Sequence, residues 1–325
     1  MIYLDNAAST RPYDEVIDYY TNCLSDCYAN PSALHEYGNE AMKPVLYAKE
    51  EILKVLNIKD DRRVVFTSGA TESSNLAIRG TLEKFDDIKR CRIITTTVEH
   101  PSVSNVFKYY SKRGCECVYV PVDKFGRLDT DRLFSSINCD TKLISVIWVN
   151  NEVGSINDIA YIAKKAKEIK KDVIVHVDAV QGFGKVVADF SNIDLITISG
   201  HKFHAPKGIG ALICKKNIVL IEQMLGGGQQ DGYRSGTINS PSIGAMGKAC
   251  EIINSRMKDS NLFLKKLQEY LYKKLSSLFG EDNINTRIFD SNYCSHILSI
   301  SFPGIKSEVL LHMLENDGIY VSTSS

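Results

Sequence analysis

A chain of 325 residues that is 44% hydrophobic and 24% charged is long enough to bury a large core, as one big domain or two of ordinary size. Lys+Arg and Asp+Glu balance at 39 each, so no net field draws the chain to nucleic acid or to an anionic membrane, and its partners must be recognised by a local site. No apolar run approaches the roughly 20 residues that span a bilayer, and Met1-Ile2-Tyr3-Leu4-Asp5 lacks the basic segment and apolar stretch of a secretion signal. The expectation is a cytoplasmic protein. Nine scattered cysteines, an odd number without zinc-ribbon spacing, read as small buried hydrophobes rather than a disulfide framework.

In chain order, helical periodicity predicts helices over 14–27 and 36–56, and a β-branched run predicts a strand over 64–67. A helix over 70–84 follows, then strands over 92–97 and 117–120 with a helix over 102–113 between them. Pro101 suits a first helical turn, where its missing N–H costs nothing. Strands over 143–149, 173–177, 195–198 and 209–214 complete the pattern, with a helix over 156–171. Strands apolar on both faces and separated by amphipathic helices predict an α/β protein: a mostly parallel sheet sandwiched by helices.

Beyond about residue 240 the pattern changes. A long helix is expected to 278, with Leu262, Phe263, Leu267, Leu271 and Leu275 forming its apolar side, followed by a strand over 297–302 and a helix over 307–316. The expected division is a large domain, 13–254, and a smaller α+β domain, 1–12 plus 255–325.

Ligands of open α/β sheets bind outside the carboxyl ends of the strands. The residues there are Ser68-Gly69-Ala70-Thr71-Glu72, Glu99-His100-Pro101, Asn150-Asn151-Glu152, His176-Val177-Asp178-Ala179-Val180-Gln181 and Ser199-Gly200-His201-Lys202. The Ser-Gly-Ala-Thr turn presents free N–H groups at a helix N-terminus, which suits an anion, but lacks the Gly-Lys-Ser/Thr of a P-loop. Asp178 ends an apolar strand, where a carboxylate is costly unless paired; it is an N-cap, half of a structural ion pair, or the partner of a protonated ring nitrogen. Lys202 is either a surface charge or an amine of lowered pKa able to form a Schiff base. An Asp for a pyridinium, a Lys for an imine and a small-residue turn for a phosphate are together what pyridoxal 5'-phosphate requires.

With these motifs on one chain, the sequence resembles cysteine desulfurases of the NifS/IscS type, in the class V aminotransferase group of fold-type I pyridoxal phosphate enzymes. The likeness is collinear from Tyr3-Leu4-Asp5-Asn6-Ala7-Ala8 to Val321, and includes Asn30-Pro31-Ser32, Pro206-Lys207-Gly208-Ile209-Gly210 and Arg234-Ser235-Gly236-Thr237. The resemblance implies that Lys202 carries the cofactor and shuttles protons, that Asp178 pairs with the pyridine nitrogen, and that Gln181 bonds the phenolic oxygen. It implies that His100 stacks on the ring and assists acid–base steps, and that Ala70, Thr71, Ser199 and His201 bind the phosphate. Thr237 would reach the phosphate of the partner subunit in a homodimer, and Asn151 would lie near the phenolic oxygen and the substrate. His35, His176 and His204 are expected to be structural.

The reaction implied is removal of sulfur from L-cysteine, giving L-alanine and an enzyme persulfide that a sulfur-acceptor or scaffold protein receives for iron–sulfur cluster assembly or thio-modification. The family's nucleophilic cysteine sits on a loop reading Ser-x-Ser-Ala-Cys or close to it. Val321-Ser322-Thr323-Ser324-Ser325 aligns with its start, about two residues short of the expected thiol and short of the arginine that clamps the substrate carboxylate, so little turnover is expected of the 325-residue form. The alternatives are another class V pyridoxal phosphate enzyme, such as a selenocysteine lyase or an aminotransferase-like enzyme, and a cofactor-binding, non-catalytic subunit.

Overall fold

The computed structural model describes residues 1–59 and 62–323. Its centre is a seven-stranded sheet of β2 (Arg62–Thr67), β3 (Arg92–Thr96), β4 (Glu116–Val120), β5 (Thr141–Ile147), β6 (Ile174–Asp178), β7 (Leu195–Ser199) and β8 (Gly210–Lys215). The spatial order is β2-β8-β7-β6-β5-β3-β4, with β8 alone antiparallel to its neighbours. All seven strands expected for this sheet form.

Alternate residues of each strand feed opposite faces of the sheet, as the pleat requires. One face takes Ile93 and Leu143 and packs on Ile78 and Leu82 of α3 (Ala70–Leu82) and on Val103 and Phe107 of α4 (Pro101–Lys112). The other takes Val64, Phe66, Ile94, Ile144 and Ile196. It is covered by α2 (Glu36–Val55), α6 (Ile159–Ile169) and the first half of α7 (Ser240–Phe279), with α1 (Asp14–Asp26) packed on its outer side. Glycines let α2 and α7 approach: a Cβ on Gly244 would lie 2.8 Å from Pro44 Cβ, and one on Gly247 only 2.7 Å from Ala48 Cα. A short helix absent from the sequence expectation, α5 (Thr130–Ser135), is capped by Asp129, whose side chain accepts from the Arg132 N–H.

The chain's beginning and end meet. β1 (Ile2–Tyr3) pairs in parallel with β9 (Ile319–Tyr320), which follows α8 (Ser307–Asn316). Two expectations for this region are corrected. Residues 297–302 form no strand: only an isolated bridge joins Ile284 and Ile300, because the Ser299 N–H goes to Thr286 Oγ1 (2.9 Å) instead of a backbone carbonyl. The second half of α7 also turns the other way. Of the five expected core residues Leu275 packs, against Tyr272, Ile284 and Ile288, but Leu262, Phe263, Leu267 and Leu271 are exposed, whereas Gln268 and Tyr272 are buried, because the Gln268 amide bridges the Cys294 and Ile297 carbonyls at 2.9 and 2.7 Å.

All nine cysteines are free thiols, six of them buried. Among the described residues no helix is long and apolar enough to cross a membrane. Ser324 and Ser325, with the catalytic loop expected to follow them, lie outside the described residues.

Candidate active site

The register places the carboxyl ends of β2, β5, β6 and β7 and the start of β8 along one edge, with Thr67 and Ser199 both opposite Gly210 and Ile147 opposite Asp178. After β7 the chain winds into a single 3-10 turn, Gly200–Lys202. Lys202 Nζ donates to the carbonyls of Ala7 (2.8 Å) and Ala8 (2.7 Å). Among the described residues no carboxylate lies within ion-pair distance of it. Burial lowers its pKa, and the charges of Asp5 and Asp178 only partly oppose that. An amine so placed loses its proton more readily than a surface lysine.

Asp178, 2% exposed, accepts one hydrogen bond, from the Val180 N–H at 3.0 Å. Burial pushes its carboxyl up to about 6, against the pull of that N–H and of Lys202. A buried carboxylate can accept about four hydrogen bonds, so Asp178 retains capacity for a further donor. Gln181, 3% exposed, donates through Nε2 to the same Ala7 carbonyl (2.8 Å) and accepts at Oε1 from Lys185 Nζ (3.4 Å). Burial, with the neighbouring Lys202 charge, lowers His201 to about 4, and its Nδ1 faces Ser9 Oγ at 3.3 Å. The segment 7–10 is thus laced across the site, with the Thr10 N–H and hydroxyl both donating to the His201 carbonyl (2.8 and 3.0 Å).

Helix α3 begins beside Ser199. Its N-cap is Gly69 (φ +153), which has no side chain to occupy the first N–H groups. Gly210 crosses so close that a Cβ there would lie 2.7 Å from Gly69 Cα, and a Cβ on Gly69 would meet Ser199 Oγ at 3.9 Å. The Glu72 carboxylate is held away by the Ser68 N–H (2.7 Å) and by Arg234 (2.9 Å). The uncapped first N–H groups of α3, at Ala70 and Thr71, with Ser199 Oγ close to Gly69, suit an anion. His100 caps α4: Nδ1 accepts from the Ser102 N–H (3.1 Å), which leaves the neutral ring's proton on Nε2. Burial and the Lys202 charge lower its pKa. His100 and Thr71 both line a cleft of about 490 Å³ between α3 and α4, with Asn75, Arg79 and Asn105.

Two expected residues are not bonded into this cluster. Asn151 sits half-buried in a turn built instead by Asn150, whose Oδ1 accepts from the Glu152 and Val153 N–H groups, both at 2.9 Å. Thr237 is exposed on the segment after Arg234. The three histidines expected to be structural are all bonded within the fold. His176 is fully buried and neutral, lowered to about 3 by loss of water, and bridges Ser145 Oγ (2.8 Å) and Thr197 Oγ1 (2.9 Å) across three strands. His35 caps α2 through the Gly38 N–H (3.2 Å), and His204 Nδ1 meets the Arg11 carbonyl (2.9 Å).

Sequence reasoning assigned no role to Glu99, Lys185 or the Ala7 and Ala8 carbonyls. For Glu99 a signal existed in its place beside His100 at a strand end; backbone carbonyls carry none.

Comparison with known proteins agrees over the whole length. The family described as aminotransferase class-V matches residues 2–325. A cysteine desulfurase of Nostoc sp. is 37% identical over 331 residues, covering 100% of this chain and 80% of that relative. The structure of a NifS-like protein superposes with a TM-score of 0.94 at 36% identity, over 99% of this chain and 87% of that one. A structure of SspA in complex with cysteine matches with a TM-score of 0.84 at 30% identity, over 100% of this chain and 90% of that one. The chain belongs to the aminotransferase class-V family.

Proposed function

We propose that this protein is a pyridoxal 5'-phosphate-dependent cysteine desulfurase that takes sulfur from L-cysteine, leaving L-alanine. We further propose that it works in the cytoplasm as a homodimer and hands sulfur to an acceptor or scaffold protein for iron–sulfur cluster assembly or thio-modification. The observation that carries the reading is the meeting of Lys202, Asp178 and the open N-terminus of α3 at one sheet edge. Relatives bearing the desulfurase name over the full chain support it.

The residues fit the cofactor. Lys202 is a half-buried amine held by neutral carbonyls, Asp178 is a buried carboxyl with one hydrogen bond, and Gly69 leaves space beside Ser199 Oγ that a Cβ would enter, while Gly210 lets the two backbones meet. When bound, pyridoxal phosphate supplies an electron sink through its pyridinium ring. Lys202 would hold it through Nζ and carry a proton, which its lowered pKa favours. Asp178 would accept a hydrogen bond from the protonated ring nitrogen, and Gln181 Nε2 would exchange the Ala7 carbonyl for the phenolic oxygen. Ala70, Thr71, Ser199 and His201 would hold the phosphate, His100 would cover the ring, and Asn151 would approach the substrate.

Thr237 would act across the dimer. Exposed apolar side chains support that assembly: Leu34, on the segment between α1 and α2, is exposed, as are Tyr28 and Tyr37, whose ring centroids are 6.5 Å apart. Within each subunit we place the large domain at 13–254 and the small one at 1–12 plus 255–325, since β1 pairs with β9.

The test is spectroscopic and chemical. Protein loaded with pyridoxal phosphate should absorb in the visible and shift its band on addition of L-cysteine, with only slight release of L-alanine from the 325-residue form. Lys202→Ala should be colourless. A yellow Lys202→Ala variant, or a wild-type band indifferent to L-cysteine, would overturn the proposal.

A further inference from the structure

Glu99 stands between the end of β3 and His100, and it is 7% exposed. Its Oε1 accepts two hydrogen bonds, from the Ile147 N–H and from Thr96 Oγ1, both at 2.8 Å. Its Oε2 is buried with no partner among the described residues. Ile147 is the last residue of β5 and lies directly beside Asp178 in the β5–β6 ladder. Two buried carboxyl groups therefore stand one strand apart at the sheet edge. The cation nearby, Lys202, acts on Asp178, whereas the charge that Glu99 feels is that of Asp178 itself.

Were Glu99 ionised, its unpartnered oxygen would carry charge in a dry environment, with a second carboxylate close by. Each circumstance disfavours the charged form. A neutral acid keeps both hydrogen bonds at Oε1 and avoids the repulsion.

We propose that Glu99 is a positioning residue of this active site. As a neutral carboxylic acid it ties the strand end that bears His100 to the strand end beside Asp178, and it keeps a second negative charge away from Asp178. The inference rests on the cofactor reading above. Burial first, and the Asp178 charge second, raise the Glu99 carboxyl to about 8, above the value of about 6 for Asp178. At neutral pH the proton thus resides on Glu99, and Asp178 is left ionised to meet a protonated ring nitrogen. Glu99 acts through its neighbours: His100 is the next residue, so the anchorage of Glu99 sets where that imidazole stands.

The experiment compares wild type, Glu99→Gln and Glu99→Leu, each loaded with pyridoxal phosphate. Infrared spectra at neutral pH in heavy water should show a carboxylic-acid carbonyl band in wild type that Glu99→Gln lacks. The glutamine Oε1 preserves both accepted bonds, so this variant should bind the cofactor within about threefold of wild type with the same visible band, whereas Glu99→Leu, which strands the Ile147 N–H, should bind it roughly tenfold more weakly. Identical carboxyl regions in wild type and Glu99→Gln would mean an ionised Glu99 and overturn the proposal. So would a glutamine variant as weak as the leucine one, because neutrality would then not suffice. A wild type that takes up no cofactor would instead sink the proposed function, and the carboxyl band of the cofactor-free protein would still report the state of Glu99.

Discussion

Asp178 shows how a single buried group couples function to stability. Its ordinary value is 3.8, and the fold raises it to about 6, chiefly by burial. Between those values the folded protein binds more protons than the unfolded chain, so stability falls as pH rises through that window, and the full cost, on the order of 3 kcal/mol, is present above the folded value. Cofactor-free Asp178→Asn should therefore gain stability relative to wild type between pH 4 and pH 7, measured by denaturant unfolding at both, while losing tight cofactor binding. An equal difference at the two pH values would refute the assignment. Asp178 and Lys202 were legible as candidates because a charge at the end of an apolar run is conspicuous. The carbonyls of Ala7 and Ala8 that receive Lys202 were not, since every residue has a carbonyl and only folding decides which one points at the amine.

Elements were legible where burial is two-sided. The seven strands of the large sheet read as β-branched runs because both faces are covered, and turn residues mark their ends. Helix α5 escaped because six residues are too short to show a period. The 297–302 segment misled because its apolar spacing is that of a strand, yet a threonine hydroxyl intercepts the ladder at Ser299. Gln268 organises this region from α7. Gln268→Leu should leave the Cys294 and Ile297 carbonyls unpaired and cost roughly 2 kcal/mol, seen as a lower urea midpoint with unchanged slope; a midpoint within error of wild type would remove Gln268 from that role. At the proposed cofactor site, Gly210→Ala drives a methyl against Gly69 Cα. It should lower stability by about 1–3 kcal/mol and weaken phosphate binding at the same time, whereas retention of full cofactor affinity would show that the site has room to spare.

For the whole molecule, the exposed Leu34 with Tyr28 and Tyr37 is the surface on which the dimer proposal can be checked. Leu34→Asp should shift sedimentation from dimer toward monomer, because an unpaired charge buried at an interface is strongly unfavourable. A wild type that sediments as a monomer would dispose of the idea at once. The α/β architecture and the chemistry of the sheet edge were determined by sequence alone, since periodicity, two-sided apolar runs and polar residues at strand ends are local patterns that burial imposes directly. The orientation of the second half of α7, the irregular 297–302 segment, the strap of residues 7–10 over Lys202 and the pairing of Glu99 with the end of β5 were decided only in the tertiary structure. Each depends on which distant backbone group comes within hydrogen-bonding distance, and no spacing along the chain encodes that.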